Sequence, residues 1–190
     1  MRKTSDIIKE RLVTAKAKFK SNDNISKFMK PGELESLQLE VQNEFERVLQ
    51  SLVIDTANDH NTKETAKRVA KMFLNETFGG RYAPEPRVTS FPNMGYNNLY
   101  TTGPITIRST CAHHFQNIVG KCWIADKLVQ YAKTPNVAVV VKAEHHCMTH
   151  RGVKEHDSDM TTAVMLGKFR DDPNLKQEFY NLMLSMKGHK

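Results

Sequence analysis

Five residues of this 190-residue chain combine types and spacings that could do chemistry. Cys111 and His114, in "STCAHHF", have the C-x2-H spacing of a metal half-site, and Cys147 follows in "AEHHCMTHRG". Two thiolates and one imidazole would give zinc three protein ligands and leave a fourth position for water. That open pattern is the catalytic one, since structural sites are normally closed by four ligands. His113 stands beside His114, and on a regular strand it would point to the opposite face. A locally irregular backbone would bring both to one pocket. His145 lies two residues before Cys147, so on a strand the two share a face. One or two imidazoles beside an open metal site could move protons near neutral pH. The plainer alternative is coincidence, with buried cysteines acting as small hydrophobes and the histidines at the surface. Cys122 alternates with apolar neighbours in "GKCWI" and reads as core. His146, His150 and His156 crowd the second cluster and read as surface or supporting histidines rather than as a fourth ligand.

The elements that must position these groups follow from periodicity. Residues 4–20 put Ile7, Ile8, Leu12, Ala15 and Phe19 on one helical stripe. A second helix begins after Pro31-Gly32 and carries Leu34, Leu37, Val41, Phe45, Val48, Leu49 and Leu52 at steps of three and four. A third spans 61–82, with Val69, Met72, Phe73 and Phe78 facing inward and Gly79-Gly80 as its stop. The period then changes to two. "PITIRST" and "NIVGKCWI" read as strands, "ADKLVQYAK" as a short helix and "VAVVVKAEHHC" as a β-branched strand. The segment 171–187 closes the chain as a helix with Pro173 near its first turn. Helices, strands and a closing helix in that order define an α+β chain rather than alternating β/α units.

The bulk properties exclude several classes. At 39% hydrophobic and 26% charged, the chain can bury a core. No apolar run reaches the roughly 18 residues of a membrane helix. The charged start "MRKTSDIIKERL" has no apolar region of the signal-peptide kind, which makes the cytoplasm the expected compartment. Three cysteines make no disulfide framework. Of the net charge of +7, residues 1–30 carry +6, from nine Lys/Arg against three Asp/Glu. The division expected is therefore a basic N-terminal arm, 1–30, and a domain, 31–190. Without aromatic residues interleaved, the arm reads as a solvated helix face, with nucleic-acid binding as the alternative.

At "GPITIRSTCAHHFQNIVGKCWI" and "VAVVVKAEHHCMTHRGVKEHDSDMTTAVMLGKFRDDPNLKQEFYNL" the chain resembles GTP cyclohydrolase I, and "TAKRVAKMFLNETFGGRY" resembles the family's helix before the strands. The resemblance covers about residues 45–124 and 126–184. It implies the tunnelling fold (T-fold), in which subunits pool strands into a barrel, usually as a homodecamer. It implies opening of the imidazole ring of GTP, with release of formate and formation of 7,8-dihydroneopterin triphosphate, a pterin, folate or deazapurine precursor. Carried over, Cys111, His114 and Cys147 would hold Zn2+. His113 and His145 would be the acid–base pair, and Arg68 and Arg151 would hold the triphosphate, which suits guanidinium forks.

The chain also departs from that pattern. Ala112 stands where the family usually has an acid, and Thr65-Ala66 where it has Thr-Pro. After Ile124 the family continues into a Gly-Leu-Ser-Lys loop, a long helix and a Gln/Glu-bearing segment. Here "GKCWI" runs straight into "ADKLVQYAK", a deficit of a few tens of residues. The absent part normally supplies a serine and a lysine near ribose and phosphates and a glutamate for the guanine edge. A helix of about nine residues spans about 13 Å, too little to cover a four-stranded sheet. Exposed apolar sheet surface is expected unless partner chains or the arm cover it. A non-catalytic zinc-binding subunit of the same fold, with an assembly or regulatory role, is the alternative to an enzyme.

Overall fold

The structure, a computed structural model, describes residues 2–87, 89, 98–125 and 135–186. The chain forms two compact units, Met1–Pro86 and Arg87–Lys190. Among the described residues, no helix is long and apolar enough to cross a membrane.

The first unit is helical. Helix α1 (Thr4–Thr14) buries Ile8 and Leu12 against Ile25, with Phe28, Met29 and Tyr82 around them. It is shorter than the stripe over 4–20 predicts, because the chain turns at Lys16 in the left-handed region. Helix α2 (Glu33–Ser51) supplies the charges that dock α1. The Thr4 and Ser5 amides donate to the Glu40 carboxylate, Lys3 meets Glu44 at 2.8 Å, and Arg11 grips both oxygens of Glu33 at 2.6 and 2.9 Å. The Arg11 guanidinium holds the Glu33 carboxyl below the usual carboxylate range. Three of the arm's nine cations, Arg2, Lys3 and Arg11, are thus paired inside this unit. Arg81 ties down the rest of the arm by donating to the carbonyls of Lys20, Asp23 and Phe19.

The third predicted helix is broken into three parts. Helix α3 (Thr65–Met72) runs into a wider π-type turn, Phe73–Thr77, closed by the Phe78 amide on the Phe73 carbonyl at 2.8 Å. Gly79 opens a single further turn, α4 (Gly79–Tyr82), instead of ending the helix. The inward residues are Ala66, Ala70 and Leu74, while Met72 is 40% exposed. Phe73 stacks between Phe45 and Phe78, with ring centroids at 5.2 and 5.8 Å.

The second unit is a four-stranded antiparallel sheet in the order β1-β2-β3-β4: β1 (Thr101–Thr110), β2 (Asn117–Ala125), β3 (Val137–His145) and β4 (Met160–Leu166). The expected short helix at 125–133 lies, beyond Ala125, outside the described residues. Strand β4 is a strand that periodicity alone did not single out. Single turns α5 (His146–Thr149) and α6 (Lys168–Asp171) follow β3 and β4, and α7 (Pro173–Ser185) closes the unit. Asp172 caps α7 by accepting from the Asn174 and Leu175 amides at 2.9 and 3.3 Å, with Pro173 in the first turn. Phe179 of α7 and Phe169 of α6 meet edge to face at 6.0 Å and seat on Ala125, Ala138 and Val140. Period-two alternation puts His145 on the other side of β3. That opposite sheet face leaves Ile105, Met160 and Val164 at 40, 47 and 54% exposure.

Gly120 sets how closely β2 approaches β3. It pairs with Ala143, and a side chain there would come within 2.6 Å of the Ala143 Cα and Cβ and against the Lys142 carbonyl. Thermal and denaturant unfolding should therefore show Gly120→Ala costing about 1–3 kcal/mol, an overpacking penalty. Phe179→Ala should cost about 3–5 kcal/mol, and Leu184→Ala, 71% exposed, less than about 0.5 kcal/mol.

Candidate metal centre

Two strand registers build the site. Thr110 pairs with Asn117 at the end of the β1–β2 hairpin, and Ile118 pairs with His145 at the end of β3. The six residues 111–116 form the connecting turn. The Cys111 amide donates to the Gln116 carbonyl at 2.8 Å, and the Phe115 amide donates back to the Cys111 carbonyl at 2.9 Å. Phe115 takes a φ of 54°, which a residue with a Cβ adopts at some cost. This tight turn is the irregular backbone needed to let Cys111, His113 and His114 leave strand alternation.

Cys147 arrives from the other side. Strand β3 ends at His145, and the chain enters the single turn α5, so His145 and Cys147 are not two positions of one strand. Both nevertheless reach Cys111, since the His145 and Cys147 side chains each hydrogen-bond its sulfur, and the Gln116 amide hydrogen-bonds the Cys147 sulfur. Gln116 is a positioning residue that sequence reasoning missed, since it acts only through its backbone. The ligand atoms of Cys111, His114 and Cys147 all lie within 4.8 Å of one another. Two donors bound to one zinc at about 2.3 Å and a tetrahedral angle are about 3.7 Å apart, so small side-chain shifts would close the set on an ion. The donor set, two thiols and one imidazole, fits zinc. Cys111 is buried, Cys147 half-buried and His114 exposed, which gives the centre a solvent side.

The electrostatics favour an anion at Cys111. Donation from the His113 amide, at 3.4 Å, is the largest cause, followed by the His145 imidazole; together with smaller hydrogen bonds they pull its thiol down to about 5. Burial and the neighbouring Cys111 sulfur push Cys147 up instead, partly offset by the Gln116 amide and the charge of Arg151. In the metal-free site the first proton lost is therefore that of Cys111. The His113 ring is exposed, with Nδ1 3.4 Å from the Cys111 sulfur. His145 keeps Nε2 buried with no hydrogen-bond partner among the described residues.

The remaining residues singled out in the sequence are spread more widely. Arg151 is exposed, just past α5 and close enough to act on Cys147. Arg68 belongs to the first unit, exposed on α3, where it donates to the Asn61 carbonyl at 3.1 Å. Cys122 is buried in β2, and burial pushes its thiol up. His146 and His150 group with Glu144, away from the two cysteines, and His156 is exposed.

An antiparallel sheet backed by helices, with a thiol–imidazole centre at one end, defines an α+β scaffold of the tunnelling type. A sequence model described as GTP cyclohydrolase I matches residues 41–125 and 122–184. The chain belongs to the GTP cyclohydrolase I family and is a hydrolase of that type. It is 31% identical to GTP cyclohydrolase 1 of Haemophilus ducreyi, covering 78% of this chain and 85% of that protein. The corresponding enzyme of Flavobacterium johnsoniae is 32% identical, with 73% and 78% covered. The two matched stretches meet at Cys122–Ala125, where β2 ends. The Haemophilus ducreyi alignment spans 186 residues against 78% of 190 here, about 148, so nearly 40 positions of the relative have no counterpart.

The thiol assignment is open to a direct check. Ultraviolet thiolate absorbance of the metal-free protein should show one cysteine ionising near pH 5 and two above the ordinary thiol value of 9.0. Cys111→Ser should remove the low step alone. Because the folded value lies below the unfolded one, this ionisation favours folding. Its contribution is complete above about pH 9 and fades as the pH falls toward about 5.

Proposed function

We propose that this chain converts GTP and water to 7,8-dihydroneopterin triphosphate and formate in a zinc-dependent reaction, as a homo-oligomer in the cytoplasm. The single observation that carries the reading is the convergence of Cys111, His114 and Cys147 within 4.8 Å, in a chain of the GTP cyclohydrolase I family. Bound there, zinc would supply a Lewis acid that lowers the pKa of a coordinated water toward neutrality. The chain's own groups do the rest. His145 carries a buried, unpartnered Nε2 that can present a proton to the purine as its five-membered ring opens. His113, exposed beside Cys111, exchanges protons on the solvent side. Arg151, with Arg68, would hold the triphosphate, and their fixed charge is needed because residues 31–190 are almost neutral overall. Exposed Ile105, Met160 and Val164 on the sheet face opposite α7 support assembly through pooled sheets, up to a decamer.

A second reading has its own support. The interruption at Cys122–Ala125 leaves no residue to which guanine recognition can be assigned. A zinc-binding subunit without turnover, with an assembly or regulatory role, fits that deficit.

Purified protein given GTP should release formate and yield a fluorescent pterin after oxidation. One zinc per chain with neither product selects the subunit reading. His113→Ala should lower turnover by about a hundredfold or more and leave zinc content unchanged; loss of zinc would instead exchange the roles of His113 and His114. Removal of zinc by a chelator should abolish formate release, and zinc alone should restore it.

A further inference from the structure

We propose that Glu144, His146 and His150 form a second divalent-metal site, distinct from the cysteine centre and suited to a borderline transition cation. Strand alternation sends Glu144 to the opposite side of β3 from His145. The turn α5 then repeats the chemistry at helical spacing. The His150 amide donates to the His146 carbonyl at 3.0 Å, so two imidazoles four residues apart share one side of the turn. Their rings stack at 4.0 Å with an interplanar angle of 33°.

The donor atoms already converge. His146 Nε2 lies 3.6 Å and His150 Nδ1 3.7 Å from the same oxygen, Glu144 Oε1, and one ligand atom from each residue falls within a 4.8 Å group. Ligands about 2.1 Å from a common cation are separated by about 3.0 Å at a right angle and about 3.4 Å at a tetrahedral one. Both histidine–carboxylate separations exceed the tetrahedral value by only a few tenths of an ångström. Thr149, 1% exposed, fixes the carboxylate by donating to Glu144 Oε1 at 2.8 Å, the kind of outer partner that ligating groups carry. The same hydroxyl oxygen lies 2.8 Å from His150 Nδ1. Coordination through Nδ1 would use the tautomer with its proton on Nε2 and would replace this contact. The nearby Lys142 does not oppose a cation, because Asp159 pairs with it at 2.7 Å.

The ligand chemistry limits which ion fits. Two imidazoles and one carboxylate suit Zn2+, Co2+ or Ni2+, whereas Mg2+ and Ca2+ require more oxygen donors. No thiolate takes part, which separates this site spectroscopically from its neighbour. Since α5 also carries Cys147, a cation here would clamp the turn that delivers that thiolate.

Co2+ added to the full chain already loaded with one equivalent of zinc is the test, followed by visible absorption and calorimetry. One further equivalent should bind with weak ligand-field bands and no thiolate-to-cobalt charge transfer. His150→Ala and Glu144→Gln should each weaken it about tenfold or more. His150 is exposed, and glutamine retains the acceptor for Thr149, so both variants keep the fold. Cys111→Ser/Cys147→Ser should lose the thiolate-bound zinc and keep the cobalt site, which separates this result from any failure of the catalytic reading. Absence of a second equivalent, thiolate charge transfer in the cobalt spectrum, or cobalt affinity unchanged in both single variants would overturn the proposal.

Discussion

The register of β2 between its two neighbours is the constraint on which the rest of this unit depends. Thr110 opposite Asn117 and Ile118 opposite His145 put the ends of β1 and β3 on either side of one tight turn. A slip of a single residue would turn every side chain to the other face. It would also take the Gln116 amide away from Cys147 and separate the two thiols. Gly120 guards that register, since its position against Ala143 admits no side chain and neither Val119 nor Lys121 could replace it. Sheet pairing, a property of the whole second unit, thus sets distances at a site of a few atoms.

Electrostatics follows from that geometry. Two thiols held together cannot both ionise freely, so one proton leaves early and the other is retained by the neighbouring anion. A dication held by both sulfurs would resolve the conflict by stabilising the two thiolates together. Part of the arm's positive charge is neutralised within its own unit. Arg2, Lys3 and Arg11 are paired with Glu10, Glu44 and Glu33 within the helical unit, and the last two pairs dock α1. At the centre itself, Arg151 is close enough for its charge to act on Cys147.

Much of this was legible in the sequence, and the rest was hidden for identifiable reasons. Strands β1, β2 and β3 show through alternation and β-branched residues, although only β2 and β3 contain buried positions. Strand β4 does not, because "MTTAVML" is mostly exposed and lacks alternation. The π-type turn after Met72 leaves no mark, since "KMFLNETF" fits an uninterrupted helix equally well. The C-x2-H spacing pointed to Cys111 and His114. The expectation that His145 and Cys147 share a strand face missed the turn α5, yet both reach Cys111 by a backbone route that residue types do not encode. His146 and His150 were set aside as supporting residues. Their spacing of four was visible, but the carboxylate that joins them required the fold. The deficit after Ile124 could be read only against a family pattern, and the division of the match at Cys122–Ala125 agrees with it.

The centre's donor set is the point on which the functional account turns. X-ray absorption at the zinc edge, on protein carrying one equivalent of zinc, measures it directly. The account predicts two sulfur neighbours at about 2.3 Å, one imidazole nitrogen at about 2.0 Å and one further light atom. A first shell of nitrogen and oxygen alone, or of four sulfurs, would contradict it.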